Sequence, residues 1–303
     1  LAESELRYRL LAENTSDVVM RTRDNVVVWV SGSLTTALDW SPEEWIGHSL
    51  AEFGHPGDLP QVERARTDMN EGRQVILRVR LKAKPGDYRW VELHSQRYED
   101  EEGNADGFQS SFRTIDAEVL AEAELLRRAT YDDLTGALKR DGAIRRLMAL
   151  ENQQRAPGAF TAALFVDVDR FKVVNDTWGH VVGDTLLLAI AERFRTTLRS
   201  GDILARMGGD EFLVILEALH GLDDAVSVAD KLRRQAAEPL HVGQELVTAT
   251  VSIGVTMCQP TDTAEDILAR ADAAMFAAKE AGRNRVFTMA SAEGDATASV
   301  GVG

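Results

Sequence analysis

The feature that most restricts the fold of this chain is Arg206-Met207-Gly208-Gly209-Asp210-Glu211-Phe212, set between short strand-like runs at residues 202–207 and 212–216. Two adjacent glycines between strand-like runs specify a tight hairpin, because they supply the positive φ that such a turn requires. Lacking side chains, Gly208 and Gly209 also let a ligand lie against the backbone. The same turn puts Asp210 and Glu211 side by side at its tip. A solvated acidic turn would look no different, so the heptad alone is only suggestive.

A second cluster gives the carboxylates a task. Phe165-Val166-Asp167-Val168-Asp169-Arg170-Phe171-Lys172-Val173-Val174-Asn175-Asp176 is followed by Gly179-His180 and Gly183-Asp184. Asp167 ends an apolar strand expected over residues 162–167, where a carboxylate is costly to bury without a cationic partner. A divalent metal is the natural one, since Mg²⁺ typically combines one or two carboxylates with substrate phosphates. A third cluster runs from Arg270-Ala271-Asp272 through Met275 and Lys279 to Gly282-Arg283-Asn284-Arg285. The four-residue spacing of Lys279 and Arg283 predicts that both project from one face of a helix over residues 263–282, near its C-terminus. Complementing the helix dipole is one use for them. Holding a triphosphate tail is the other.

Around these clusters, helical and strand-like segments alternate. A helix over 141–155, a buried strand, a helix pair, the hairpin, another helix, a long strand over 246–257 and the final helix predict an α/β domain with one central sheet. Residues 289–303, rich in Ala, Gly, Ser and Thr, read as a loose tail. A length of 303 residues exceeds what one core usually organises, so a second domain should precede this one. Within 1–115, residues 1–16 carry Leu6, Leu10 and Leu11 among charges, as a short amphipathic helix would. Residues 17–23 and 26–30 read as strands about the turn pair Asp24-Asn25. Leu77, Val79, Leu81 and Ala83 alternate with Arg78, Arg80 and Lys82, the period of a half-buried strand. Pro85-Gly86-Asp87 leads to a strand at 88–98, and an acidic turn at 99–107 leads to another at 108–114. The expectation is an antiparallel sheet with helices on one side. Residues 116–130 lack Gly and Pro and predict a continuous connecting helix. Ile115, Val119, Leu126 and Ala129 approximate an apolar seam on it, broken by Glu122, which suits a solvated connector or a coiled coil between protomers.

Charge narrows the partners. Asp and Glu outnumber Lys and Arg by 49 to 34, a net charge of -15, and no basic block offers a face for DNA, RNA or an anionic membrane. A small anion remains compatible, since local cations and a metal override the global sign. The single cysteine, Cys258, excludes an intramolecular disulfide and leaves no mark of an oxidising compartment. No apolar run approaches the roughly 20 residues needed to cross a bilayer, and no signal-peptide pattern opens the chain. A cytoplasmic protein is expected. The chain starts at Leu1 rather than Met, as a piece of something longer would, so upstream membrane segments stay open.

In this order and with these gaps, the three clusters resemble the GGDEF family of diguanylate cyclases over about residues 131–288, as does the preceding Asp132-Asp133-Leu134-Thr135-Gly136. Ala137-Leu138-Lys139-Arg140 departs from the family's usual Leu, any residue, Asn and Arg. The resemblance implies a central sheet surrounded by helices, of the nucleotide-cyclase or palm type, that joins two GTP into cyclic di-GMP, a bacterial second messenger, with release of two pyrophosphates. It further implies that Asp167, the Val168 carbonyl and Asp210 hold two Mg²⁺ (or Mn²⁺) ions, with Glu211 assisting. Asn175 and Asp184 would read guanine, Lys279 and Arg283 would hold the β and γ phosphates over Gly208 and Gly209, and Lys172 would stabilise developing charge. Each domain presents one GTP, so activity implies a homodimer. Arg199 and Asp202, the ends of an Arg-x-x-Asp pattern nine residues before Gly208, resemble the family's inhibitory site for its own product, although an ordinary turn would suffice to explain them. The rival is a domain that binds GTP or cyclic di-GMP without catalysis, against which the intact Gly208, Gly209, Asp210, Glu211, Asp167 and Lys172 argue.

Residues 1–117 resemble a PAS sensor domain in their order of elements, in Trp29, in the segment 40–47 and in His55-Pro56-Gly57-Asp58. Its ligand is unknown from sequence. A flavin adduct would need a cysteine in this domain, and His55 reads as a loop residue beside Pro56 rather than a haem ligand.

Overall fold

The computed structural model describes residues 17–99, 105–151, 159–243 and 245–289. The expected helix over 1–16 and the tail from residue 290 lie outside them. The chain divides into two compact units, Leu1–Glu124 and Leu125–Gly303.

In the first unit, β1 (Val18–Arg23) and β2 (Val26–Val30) meet at Asp24 and Asn25, both with positive φ (51° and 66°), a turn whose twist matches that of paired strands. Helices α1 (Ser33–Leu38), α2 (Pro42–Trp45) and α3 (Leu59–Asn70) follow, and then β3 (Val75–Lys82), β4 (Tyr88–Glu99) and β5 (Ala105–Thr114). The antiparallel sheet has the order β2-β1-β5-β4-β3. Its core face carries Val18, Met20, Val79, Val91, Leu93 and Phe112, and Trp45 stacks on Phe53 with ring centroids 4.4 Å apart. Buried Asp58 accepts from the Arg80 side chain at 2.6 and 3.0 Å and from its backbone N–H at 2.9 Å, which ties the chain before α3 to β3. His55 is a loop residue, as expected: its Nδ1 accepts from the Gly57 N–H at 3.0 Å.

The connecting helix α4 runs Asp116–Thr130, the expected bounds. The seam differs from expectation. Ile115 is buried in the first unit, where its N–H donates to the Trp90 carbonyl at 2.8 Å, and it is not available to a partner helix.

The second unit comprises β6 (Leu138–Lys139), α5 (Arg140–Glu151), β7 (Phe160–Val168), α6 (Phe171–Trp178), α7 (His180–Thr197), β8 (Ile203–Gly208), β9 (Glu211–Leu219), α8 (Leu222–Ala236), β10 (Leu240–Val242), β11 (Glu245–Val247), β12 (Val251–Met257), α9 (Ala264–Glu280) and β13 (Val286–Thr288). The mixed sheet has the order β13-β12-β7-β9-β8-β6. β7 is apolar from Ala162 to Val166 because both of its faces are covered there. Leu164 and Val166 pack with Leu186, Ile190 and Phe194 of α7 and Leu232 of α8. Ala163 and Phe165 pack with Leu147 of α5 and Ile267 and Met275 of α9. The helix expected over 141–155 is α5 over its described part. Gly254 lets α9 approach β12, since a Cβ there would meet the Ala271 carbonyl at 2.1 Å.

Two expectations are corrected. The long strand over 246–257 is two strands, β11 paired with β10 in a separate hairpin and β12 in the central sheet. The break falls at Thr250, whose carbonyl accepts from the Asp169 N–H at 2.8 Å and whose hydroxyl donates to the Asp169 carboxylate at 2.6 Å. The final helix ends at Glu280, and Arg283 lies beyond it. Gly282 (φ 116°) donates to the Lys279 carbonyl and Arg283 (φ 64°) to the Ala278 carbonyl, the paired bonds of a Schellman cap. Lys279 and Arg283 therefore do not share a helical face. No helix among the described residues is long and apolar enough to cross a membrane.

Candidate active site

The C-terminal end of β7 and the β8–β9 turn meet at one end of the central strands of the sheet. Asp167 stands opposite Glu211 in the antiparallel register, and the Val168 N–H donates to the Asp210 carbonyl at 3.2 Å. Gly208 and Gly209 both take positive φ (155° and 52°), and a Cβ at either position would meet nothing within 4 Å, so the backbone there is open. Arg206 secures the turn. Its Nε and Nη2 donate to the Gly209 carbonyl at 2.9 and 2.8 Å, and its Nη1 donates to Asp132 at 3.0 Å. Asp132 also accepts from the N–H and hydroxyl of Thr135, which gives the Asp-Asp-Leu-Thr-Gly segment a structural task.

Asp167 is buried, and its partner is Lys279, with Nζ 2.7 Å from Oδ2. Burial pushes its pKa up to about 6; the Lys279 ammonium opposes the rise, and Asp210 and Glu211 add to it. Glu211 is raised as well, by burial first and then by Asp210 and Asp272. Lys279 and the Arg140 guanidinium, which both pull Glu211 down, therefore do not balance the four carboxylates Asp167, Asp210, Glu211 and Asp272. Among the described residues no group of three or more His, Cys, Asp or Glu side chains closes on a metal position. The expected set contains only two carboxylates, with a main-chain oxygen as its third member. Its oxygen chemistry and its unbalanced negative charge fit a hard divalent cation.

α6 and α7 form the adjoining wall. Asn175 lies on α6 with its Oδ1 buried and without a hydrogen-bond partner. It packs against Gly183 of α7, where a Cβ would stand 1.9 Å from that oxygen. Lys172 and Asp184 are exposed on the same two helices. Arg283 is exposed and borders a cleft of about 420 Å³ with Asp169, Arg170, Trp178 and Asn284. Lys279 is engaged with Asp167, so its expected hold on phosphate requires it to exchange partners. At residues 199–202, the Asp202 carboxylate accepts from the Arg199 N–H at 2.9 Å and the Glu217 N–H at 3.4 Å, which is turn-closing work.

Sequence reasoning overlooked two residues. Buried Asp169 accepts from Thr250 and Ser252 hydroxyls at 2.6 and 2.7 Å and from the Asn284 N–H at 3.0 Å, fastening the segment after α9 to the end of β7. Arg206 was visible only as part of the hairpin heptad. The signal for Asp169 was its position two residues beyond Asp167, at the end of a strand too apolar to carry a second carboxylate without donors.

Comparison with known proteins agrees with this geometry. Residues 129–285, just over half of the chain, match the family described as diguanylate cyclase, GGDEF domain, and residues 16–112 match the PAS fold. The bifunctional diguanylate cyclase/cyclic di-GMP phosphodiesterase MucR of Pseudomonas aeruginosa is 40% identical over 167 residues, 54% of this chain and 24% of that protein. The crystal structure of the P. aeruginosa diguanylate cyclase SiaD in complex with its activator SiaC superposes with a TM-score of 0.51 at 34% identity, covering 57% of this chain and 67% of that one. The coiled coil and GGDEF domain of DgcB from Caulobacter crescentus, in complex with c-di-GMP, gives 0.51 at 28% identity, covering 57% and 96%. The chain spans 28% of the length of the first curated relatives it matches. With the two matches in this order, the chain belongs to the GGDEF diguanylate cyclase domain family, its GGDEF domain preceded by a PAS domain.

Proposed function

We propose that the second unit condenses two GTP into cyclic di-GMP and two pyrophosphates. The observation that carries this reading is the meeting of Asp167, Asp210 and Glu211 at one strand end and one hairpin tip, with too little positive charge to balance them. Mg²⁺ or Mn²⁺, bound as two ions by Asp167, the Val168 carbonyl and Asp210, would stabilise the attacking and leaving oxygens. Glu211 assists in holding that charge. The open backbone at Gly208 and Gly209 leaves room for the triphosphate, and Lys279 and Arg283 take its β and γ phosphates. The buried Asn175 oxygen accepts from a guanine N–H, and Asp184 accepts at the same edge; adenine, with an acceptor at N1, would leave them unpaired. Lys172 stabilises charge that develops on the transferring phosphoryl group.

In the reaction the 3′-hydroxyl of one GTP attacks the α-phosphate of the other, and pyrophosphate leaves. Repeating the step in the opposite sense closes the ring, so two copies must face one another. Leu120, Leu125 and Leu126 on α4 are 70, 68 and 68% exposed, which supports pairing through this helix and transmission of a PAS rearrangement along it. Arg199 and Asp202 are proposed to bind product and slow the enzyme. A GTP-consuming domain works in the cytoplasm, and no nucleic-acid partner is invoked.

The experiment is synthesis by Asp167→Ala and Asp210→Ala variants whose circular dichroism matches the parent. Loss of cyclic di-GMP in both is expected. Unchanged synthesis in either removes the assignment.

A further inference from the structure

The first unit contains a cavity of about 690 Å³, within the roughly 300–1,000 Å³ usual for small-molecule sites. Its lining includes the inner face of the sheet, and there the chemistry changes along the strands. Across β1, β5, β4 and β3 one row of register partners is Val18, Phe112, Leu93 and Leu77, all apolar. The next row holds Met20, Ser110 and Ser95, and the one after it Thr22, Phe108 and Arg97. The period of two keeps all of these residues on the core face. Ser95, Ser110 and Thr22 are only 5, 4 and 6% exposed.

Polar side chains on the core face of so small a domain forfeit apolar burial, and they are arranged to donate. The Ser95 and Ser110 hydroxyls are 2.5 Å apart. Two hydroxyls carry two protons, and one is spent between them, so the pair keeps a donor for a third group. Arg97 lines the cavity with no ionic or hydrogen-bond partner for its guanidinium among the described residues. The other cations in the lining are paired, Arg23 with Asp106 at 2.6 Å and Arg66 with Glu63 at 3.1 Å. Leu50, Val62, Met69, Leu77 and Leu93 supply the apolar part of the lining.

We propose that this cavity binds an amphipathic monocarboxylate, its carboxylate on Arg97 and the Ser95–Ser110 pair and its hydrocarbon portion along Val62, Met69, Leu77 and Leu93. A single guanidinium matches both the geometry and the single charge of a carboxylate, through two parallel hydrogen bonds. The net charge of -15 opposes any anion, so affinity depends on this local cation.

The test is equilibrium dialysis of the full chain with decanoate, in buffer without GTP or metal, with decan-1-ol as the neutral control. Saturable binding at one site per chain is expected, with decanol weaker than decanoate. Arg97→Gln, at an exposed position where folding is not at stake, should weaken decanoate binding about tenfold or more, as loss of a charged hydrogen bond does, and Arg97→Lys should restore part of it. No saturable binding, equal affinity for decanol, or an Arg97→Gln variant that binds like the parent would overturn the proposal. Because no GTP is present, the outcome is independent of the cyclase reading.

Discussion

Asn175→Ala should make the ligand-free protein more stable and its complex with GTP weaker. The Asn175 oxygen is buried and unpartnered, so the folded state bears a desolvation cost of about 1–3 kcal/mol that it does not recover until a donor arrives. Replacement by Ala removes that cost and adds a few tenths of a kcal/mol in helix propensity, against about 1 kcal/mol of lost packing on Gly183. The net gain is about 1 kcal/mol, or about 2–4 °C in the melting midpoint of a domain of this size. In the complex the guanine N–H loses its acceptor, which costs about 1–3 kcal/mol and raises KM for GTP by roughly 5- to 150-fold. Differential scanning calorimetry and steady-state kinetics measure the two effects. A variant that melts below the parent while keeping its KM would show that Asn175 is structural and that its buried oxygen is not aimed at a ligand.

Asp167 has a folded-state pKa of about 6 against an ordinary value of 3.8, so the folded chain holds this proton more tightly than the unfolded one. Its contribution to metal-free stability is present below pH 4 and lost as pH rises to about 6, a loss of at most about 3 kcal/mol once solvent screening is counted, which Mg²⁺ should reverse; urea midpoints showing the same pH slope in Asp167→Asn would refute this. Asp169→Ala strands two hydroxyls and one N–H and should cost about 3 kcal/mol or more; an unchanged urea midpoint would contradict the fastening role. Added cyclic di-GMP should slow the parent non-competitively, and Arg199→Ala should relieve this without altering metal dependence. Equal inhibition of both proteins, or inhibition overcome by GTP, would assign Arg199 and Asp202 to the turn alone.

What could be read from the sequence was local. The glycine pair announced its hairpin, the alternation from Leu77 to Ala83 announced β3, and the absence of Gly and Pro marked α4 from Asp116 to Thr130. Two of the failures share a cause, which is that a distant partner decided the local conformation. The apolar run through residues 246–257 reads as one strand, but Asp169 recruits Thr250 and the chain bends there. Ile115 reads as the first residue of a helical seam, but the sheet of the first unit buries it. Lys279 and Arg283 have helical spacing, but Gly282 ends the helix between them. The parallel edge strand β13, three residues long, offers no period to detect. At the site, the types and order of the carboxylates were visible, whereas the Lys279–Asp167 pair and the Asp132–Arg206–Gly209 clamp join residues 112 and 74 positions apart and required the fold.

Incubation of the purified chain with GTP and Mg²⁺, with ATP and Mg²⁺ in parallel, and chromatographic resolution of the products tests the central claim most directly. The account predicts cyclic di-GMP and pyrophosphate in a ratio of one to two from GTP and no cyclic product from ATP. GTP recovered intact from a protein shown to bind it would contradict catalysis and make this unit a receptor.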